Sequence, residues 1–293
     1  TLGVNEANLT ADFGYQGNYE ISGRLHLDWN NNGTYDSGET GLPNVTLTLS
    51  DSSNSIIETI ITASDGTYRF TNLSDGPYRI SVQTGTLPAP DIIATYDPDG
   101  VSTANTFAVT LSGASLIDRN LGYQGTGRVG DLVWYDQDAN GLQNSSEFGA
   151  TNATIKLIWP GWDGVLGTGD DYQMQAQSNG IGIYSFSNLP ASIYKVEVDI
   201  LTLLPGVTLT SGTNPRILTL LGGETNNTID FGFQGQSSIS GIVVKDVDEN
   251  GSLNSGDTGI ANVRVLLLNT SGTILSETDT DNNGNFSFNQ IIA

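Results

Sequence analysis

Three short stretches of this 293-residue chain carry oxygen-bearing side chains at one fixed spacing. The first runs through Asp28, Asn30, Asn32, Thr34, Asp36 and Glu39. The second runs through Asp136, Asp138, Asn140, Leu142, Asn144 and Glu147, and the third through Asp246, Asp248, Asn250, Ser252, Asn254 and Asp257. Positions one, three, five, nine and twelve of each stretch are Asp, Asn or Glu, and position six is glycine: Gly33, Gly141 and Gly251. Alternate residues of a tight loop point at its centre, the glycine permits a sharp turn, and the acid at position twelve closes the shell. Position seven offers a backbone carbonyl, from Thr34, Leu142 or Ser252. An all-oxygen set of this size suits a hard cation that takes six to eight ligands, which is calcium. The same residues also read as Asx turns that cap themselves without metal. No helical pattern flanks the loops, so an opening helix–loop–helix sensor is not expected.

A further acidic group, Asp163, Asp170 and Asp171, lies in a glycine-rich insertion from Pro160 to Asp171. It reads either as another calcium seat or as a solvated hairpin tip. Asp65, Asp279 and Asp281 sit in plain turn contexts and read as turn formers.

The elements that must position these loops recur with them. The loops begin at residues 28, 136 and 246, so the period is about 110 residues. Each is preceded by an opening strand: Ile21–Leu25, Gly127–Asp131 and Ile239–Val243. Each is followed by a glycine and a strand beginning at Gly41, Gly149 or Gly259. Next come aromatic strands at Thr67-Tyr68-Arg69-Phe70, Ile183-Tyr184-Ser185-Phe186 and Asn285-Phe286-Ser287-Phe288. Tyr78–Val82 and Tyr194–Val198 alternate apolar and polar residues, as half-buried strands do. Closing strands read Asp12-Phe13-Gly14-Tyr15, Asn120-Leu121-Gly122-Tyr123 and Asp230-Phe231-Gly232-Phe233. About seven short strands per repeat is the mark of an Ig-like sandwich. The expected fold is all-β, with tandem Ig-like or prealbumin-like β-sandwich repeats in a rod-like array. The expected divisions are 1–17 (a closing strand), 18–125 (repeat one), 126–235 (repeat two) and 236–293 (an incomplete repeat three). Very short linkers predict a semi-rigid array. A bound ion is expected to lock each loop near the junction with the preceding repeat.

The unequal ends have two readings. The chain is a piece of a longer array, or residues 1–17 of one copy complete the open sandwich of 236–293 in another, building a head-to-tail filament. No signal peptide or anchor motif is apparent, so the chain is expected to be mature or a piece of something longer.

Composition narrows the function. The formal charge of −22 opposes nucleic acid and anionic membranes. There is no cysteine, so stiffness must come from packing or metal. No run of about 18 apolar residues exists, so membrane insertion of this segment is not expected. The single histidine, His26, lies at a position that the repeats do not share, and no nucleophile elbow or phosphate loop occurs. An enzyme is not expected.

These motifs resemble the SdrD B-like repeats of bacterial surface adhesins, relatives of the collagen-adhesin B-type domain. The resemblance rests on the acidic loop after the first strand, the Gly-x-Tyr-x-Phe and Tyr-x-Val strands, the closing Asp-Phe-Gly-Phe and the insertion from Gly161 to Asp171. It implies a sandwich fold, calcium in the loops and an extracellular stalk at the cell surface, with neighbouring repeats or further copies of itself as partners. Collagen-adhesin B domains often carry a Lys–Asn isopeptide bond. Here the opening-strand position is Leu27 in repeat one and Tyr135 in repeat two, and only repeat three has Lys245, so none is expected in the complete repeats. The rival reading is an adhesin module that binds glycan or matrix protein directly through Trp29, Trp134, Trp159 and Trp162.

Overall fold

The computed structural model describes residues 17–145 and 147–291. The expected closing strand at Asp12–Tyr15 lies outside the described residues.

Repeat one folds into eight strands: β1 (Tyr19–Leu27), β2 (Thr46–Ser50), β3 (Ile56–Ile61), β4 (Thr67–Leu73), β5 (Gly76–Val82), β6 (Ile93–Tyr96), β7 (Thr106–Leu111) and β8 (Leu121–Gln124). They form two four-stranded sheets, in the orders β4-β1-β8-β6 and β3-β2-β5-β7. Alternation decides which face turns inward. Tyr68, Phe70, Ile80, Val82 and Phe107 are buried, while Arg69 and Arg79 point outward.

Repeat two repeats the plan with β9 (Gly127–Tyr135), β10 (Phe148–Gly149), β11 (Thr154–Trp159), β12 (Tyr172–Gln177), β13 (Ile183–Leu189), β14 (Ser192–Val198), β15 (Val207–Ser211), β16 (Arg216–Leu220), β17 (Thr225–Asn226) and β18 (Phe231–Gly235). One sheet runs β12-β11-β14-β16. The other runs β10-β9-β18-β15, with β13 and β17 also pairing β9. Trp159, Tyr194 and Phe231 are fully buried between them.

Repeat three has only paired strands: β19 (Ser237–Ile242) with β24 (Asn285–Ile291), β20 (Val244–Lys245) with β21 (Thr258–Gly259), and β22 (Arg264–Leu268) with β23 (Ile274–Asp279). Ile239 is exposed where its counterpart Ile21 is fully buried, and Val265 and Leu267 are only half-buried where Leu47 and Leu49 are fully buried, because residues 236–291 contain no counterpart of the strands that cover this face in the other repeats.

In both complete repeats the closing strand runs parallel to the opening one. Leu25 and Leu27 register with Leu121 and Tyr123, and Val133 and Tyr135 with Phe231 and Phe233. Parallel strands end at the same end of the sandwich, so the chain leaves each repeat beside its acidic loop. Asp28 N donates to Tyr123 O at 2.7 Å, and Asp136 N to Phe233 O at 2.8 Å. The loop therefore faces the following repeat, which corrects the expectation that it faces the preceding one.

The glycine after each loop is set by close backbone approach. A Cβ on Gly41 would lie 1.9 Å from Asp65 O, one on Gly149 2.1 Å from Ile181 O, and one on Gly259 1.9 Å from Asn283 O. Each fixes the loop exit against the turn that starts the aromatic strand.

Candidate metal centres

The three loops share one hydrogen-bond skeleton. The position-one carboxylate accepts from the N–H groups of positions five and six: Asp28 from Asn32 and Gly33, Asp136 from Asn140 and Gly141, Asp246 from Asn250 and Gly251, all within 2.8–3.2 Å. The position-twelve carboxylate reaches back across the loop. Glu39 accepts from Trp29 N and Asp36 N, Glu147 from Gln137 N and Asn144 N, and Asp257 from Val247 N and Asn254 N. Asp257, although shorter than Glu, makes the same two bonds at 3.0 and 2.9 Å. The position-five side-chain oxygen accepts from the N–H of position seven at 2.7 Å in all three.

The turn needs left-handed backbone at two places. The glycine at position six has φ of +74° or +75°. Position four is also left-handed, as Asn31, Ala139 and Glu249 at φ of 56–58°. For Ala and Glu this conformation costs about 1 kcal/mol, so the surrounding bonds must hold it. The spacing motif alone gives no sign of that strain.

Charge gathers in the loop centres. Carboxylate oxygens of Asp136, Asp138 and Glu147 lie within 4.8 Å of one another, as do those of Asp246, Asp248 and Asp257. Loop one distributes its acids differently, with Asn30 at position three and Asp36 at position nine. The Asn30 and Asn32 amides donate to Asp36 Oδ2 at 2.9 and 2.7 Å and hold that carboxyl below its ordinary range. Burial pushes the Glu39 carboxyl up, and pushes on Asp136 the same way. At Asp136 hydrogen bonds outweigh burial, the Gly141 N–H among them, and the carboxyl ends below its usual range. Asp248 behaves alike, with burial opposed by bonds from Asn250 N–H and Asn254. Clustered, all-oxygen groups fit a hard divalent cation. The candidate ligands of such an ion are the residues at positions one, three, five, seven, nine and twelve.

Two threonines join these sites from a distant strand. Thr95 on β6 donates to Asp28 Oδ2 at 2.7 Å, and Thr210 on β15 occupies the equivalent place beside Gly232 and Asp136, without a hydrogen bond from its hydroxyl. Nothing in the loop spacing marks them; their signal is an equivalent place on the strand beside the closing strand. His26 is fully buried behind loop one, with Nε2 3.5 Å from Glu39 Oε2 and its ring against Tyr35. Burial lowers its pKa below the ordinary value despite nearby Asp28, so the imidazole is neutral at pH 7.

The insertion acids are each engaged within the hairpin. Asp163 accepts from Val165 N, Asp171 from Gly167 N, and Asp170 from the Thr168 hydroxyl, each at 2.7 Å. These bonds brace the hairpin turn. Asp65 and Asp281 cap turns through Thr67 and Asn283, while Asp279 ends β23 and lies 3.8 Å from Arg264 rather than forming a turn. Lys156 and Lys195 pair with Asp199 and Glu197 on the β11 and β14 surfaces. The tryptophans form no open platform. Trp134 and Trp159 are buried, and Trp29 and Trp162 are partly buried against Tyr172 and Trp159 respectively.

Among the described residues, no helix is long and apolar enough to cross a membrane. A family model described as the SdrD B-like domain matches residues 19–110, 127–233 and 237–293. Serine-aspartate repeat-containing protein D of Staphylococcus aureus strain MW2 is 30% identical over 97% of this chain, which covers 22% of that protein. Serine-aspartate repeat-containing protein F of Staphylococcus epidermidis strain ATCC 12228 is 29% identical over 98% of this chain, covering 18% of it. The chain thus spans about a fifth of the length of these relatives. Among solved structures, the Bacillus anthracis TIE protein aligns with 92% of this chain and 42% of its own, at 13% identity and a TM-score of 0.44. The minor pilin GBS52 of Streptococcus agalactiae aligns with 75% of this chain and 98% of its own, at 13% identity and a TM-score of 0.29. With its acidic loops, paired sheets and three matched segments, the chain belongs to the SdrD B-like domain family of extracellular, cell-surface repeat proteins.

Proposed function

We propose that this chain is a calcium-stabilised structural segment of a microbial surface protein, a stalk or filament rather than an enzyme. The observation that carries the reading is the common skeleton of the three loops, with the acids of loops two and three converging to within 4.8 Å. Clustered carboxylates repel one another, and a dication between them would turn that repulsion into attraction. Asp28, Asn30, Asn32, Thr34, Asp36 and Glu39 would hold one ion, and the matching residues of loops two and three one each. Asp163, Asp170 and Asp171 of the insertion, the last two sharing Thr168, would hold at most a loosely bound one.

The repeat divisions near residues 17, 125 and 235, and a rod-like arrangement, belong to the same reading. So does the source of the missing cover on repeat three. The uncovered Ile239 and the half-buried Val265 and Leu267 favour completion by strands of a neighbouring repeat or of another copy. Direct glycan or matrix binding is less favoured, because the tryptophans that would stack on a sugar pack within the protein.

Isothermal titration of the chelated chain with calcium tests the proposal. Three seats that bind at micromolar to submillimolar calcium, and none when Asp28, Asp136 and Asp246 are replaced by Ala, are expected. Absence of heat and of any ion uptake in equilibrium dialysis would exclude it.

A further inference from the structure

The insertion of repeat two has a role that its acids do not account for. It carries Trp162 into repeat one, where the indole Nε1 donates to Gly41 O at 2.8 Å. Gly41 is the loop-exit glycine of repeat one, wedged against Asp65. Trp162 meets Trp159 edge to face at a centroid distance of 4.8 Å, and Trp159 meets Trp29 at 5.5 Å. Trp29, the second residue of loop one, lies stacked on Tyr172 with centroids 5.0 Å apart and planes 5° from parallel. Trp29 N is in turn held by Glu39 Oε1. On another side of the junction, Asp91 of repeat one accepts from Ala191 N of repeat two at 2.9 Å.

The second junction lacks these parts. Gln137 stands where Trp29 stands, and repeat three has no counterpart of the insertion. Gln137 and Phe148 instead face Leu267, Leu275 and Phe288 across a cavity of about 110 Å³.

We infer that the tryptophan hairpin of repeat two is an inter-repeat clamp that fixes the angle between repeats one and two, leaving the junction between repeats two and three the more compliant. Three contacts at separated points restrain bending and twisting together, whereas a short linker restrains only distance. Aromatic stacking and a half-buried indole hydrogen bond also have strict geometry, so they select one orientation. The clamp consists of protein groups alone and does not rest on the calcium reading.

The chain contains no cysteine, so dye pairs can be placed at will. One full-length chain carries Ser52→Cys and Leu201→Cys, reporting the first junction. Another carries Leu201→Cys and Thr270→Cys, reporting the second. Single-molecule energy transfer, in about 1 mM calcium and again in chelator, should give a narrow distribution for the first pair and a broader one for the second. Trp162→Phe removes the indole N–H but keeps an aromatic ring, and Trp29→Gln installs the residue found at the matching place in repeat two. Together they should widen the first distribution at least twofold and leave the second unchanged, with the circular dichroism of the fold retained. Equal widths at both junctions in the unaltered chain, or a first distribution indifferent to the double variant, would overturn the inference. A narrow first distribution with and without calcium supports the clamp even if the metal proposal fails.

Discussion

Thr95 Oγ1 donates to Asp28 Oδ2 at 2.7 Å, joining the first acid of loop one to strand β6, 67 residues away in sequence. The loop is therefore anchored to the sheet that carries the closing strand. Thr95→Val keeps the shape and removes the donor. Hydrogen bonds to charged groups contribute about 1.5–3 kcal/mol, so repeat one should lose about that much unfolding free energy in chelator. Urea melts of the two chains check this; coincident midpoints would show that the bond contributes nothing.

Calcium should raise stability by mass action. At about 1 mM free ion and a dissociation constant of about 10–100 µM, each seat contributes roughly 1.4–2.7 kcal/mol. Scanning calorimetry with and without chelator should show a shift of several degrees, and magnesium should substitute poorly because it demands tighter octahedral geometry. An unchanged transition argues that the loops cap themselves.

Glu147 has two roles that one variant can separate. Both its oxygens accept backbone N–H groups, from Gln137 at 2.8 Å and Asn144 at 3.0 Å. Glu147→Gln keeps one acceptor and loses the charge. In chelator it should cost about 1 kcal/mol, and calcium affinity at the second loop should fall at least tenfold. If the metal-free stability dropped while calcium uptake stayed the same, Glu147 would be a brace and not a ligand.

Asp97 sets a pH dependence away from the loops. It is 2% exposed, and burial pushes its pKa up to about 6 against the pull of the backbone N–H groups nearby. In the unfolded chain its value is near 3.8. Between those values the folded form binds the proton more tightly. Its contribution to stability is thus greatest below about pH 3.8 and is lost as pH rises through about 6. Asp97→Asn should stabilise repeat one by about 1–3 kcal/mol at pH 7 and by much less near pH 4. Denaturant melts at both values decide it: an Asn benefit that is the same at pH 4 and pH 7 contradicts the buried charge.

Gly149→Ala should be poorly tolerated, since the new Cβ would fall 2.1 Å from the Ile181 carbonyl carbon and oxygen. Backbone cannot yield as a side-chain tip can, so a loss of about 2–4 kcal/mol is expected. A thermal midpoint within a degree of the unaltered chain would show that the turn relaxes easily.

The oxygen-bearing side chains of the loops, the glycine at position six, the 110-residue period and the alternating strands were all legible in the chain itself. They are local patterns: strand alternation follows from the pleat, and a cation loop draws its donors from twelve consecutive residues. The inward face of Tyr78–Val82 and Tyr194–Val198 was legible too, because Tyr, Ile and Val alternate there with Arg, Lys, Ser and Glu. What the tertiary structure alone decided are relationships between residues far apart in sequence. The parallel pairing of β1 with β8 turned each acidic loop toward the next repeat. The return of β6 and β15 brought Thr95 and Thr210 to the loops, and the insertion met Gly41 from 121 residues away. Sequence spacing specifies what a segment can present, but which distant segment it meets is set by sheet order and by the direction in which each strand runs.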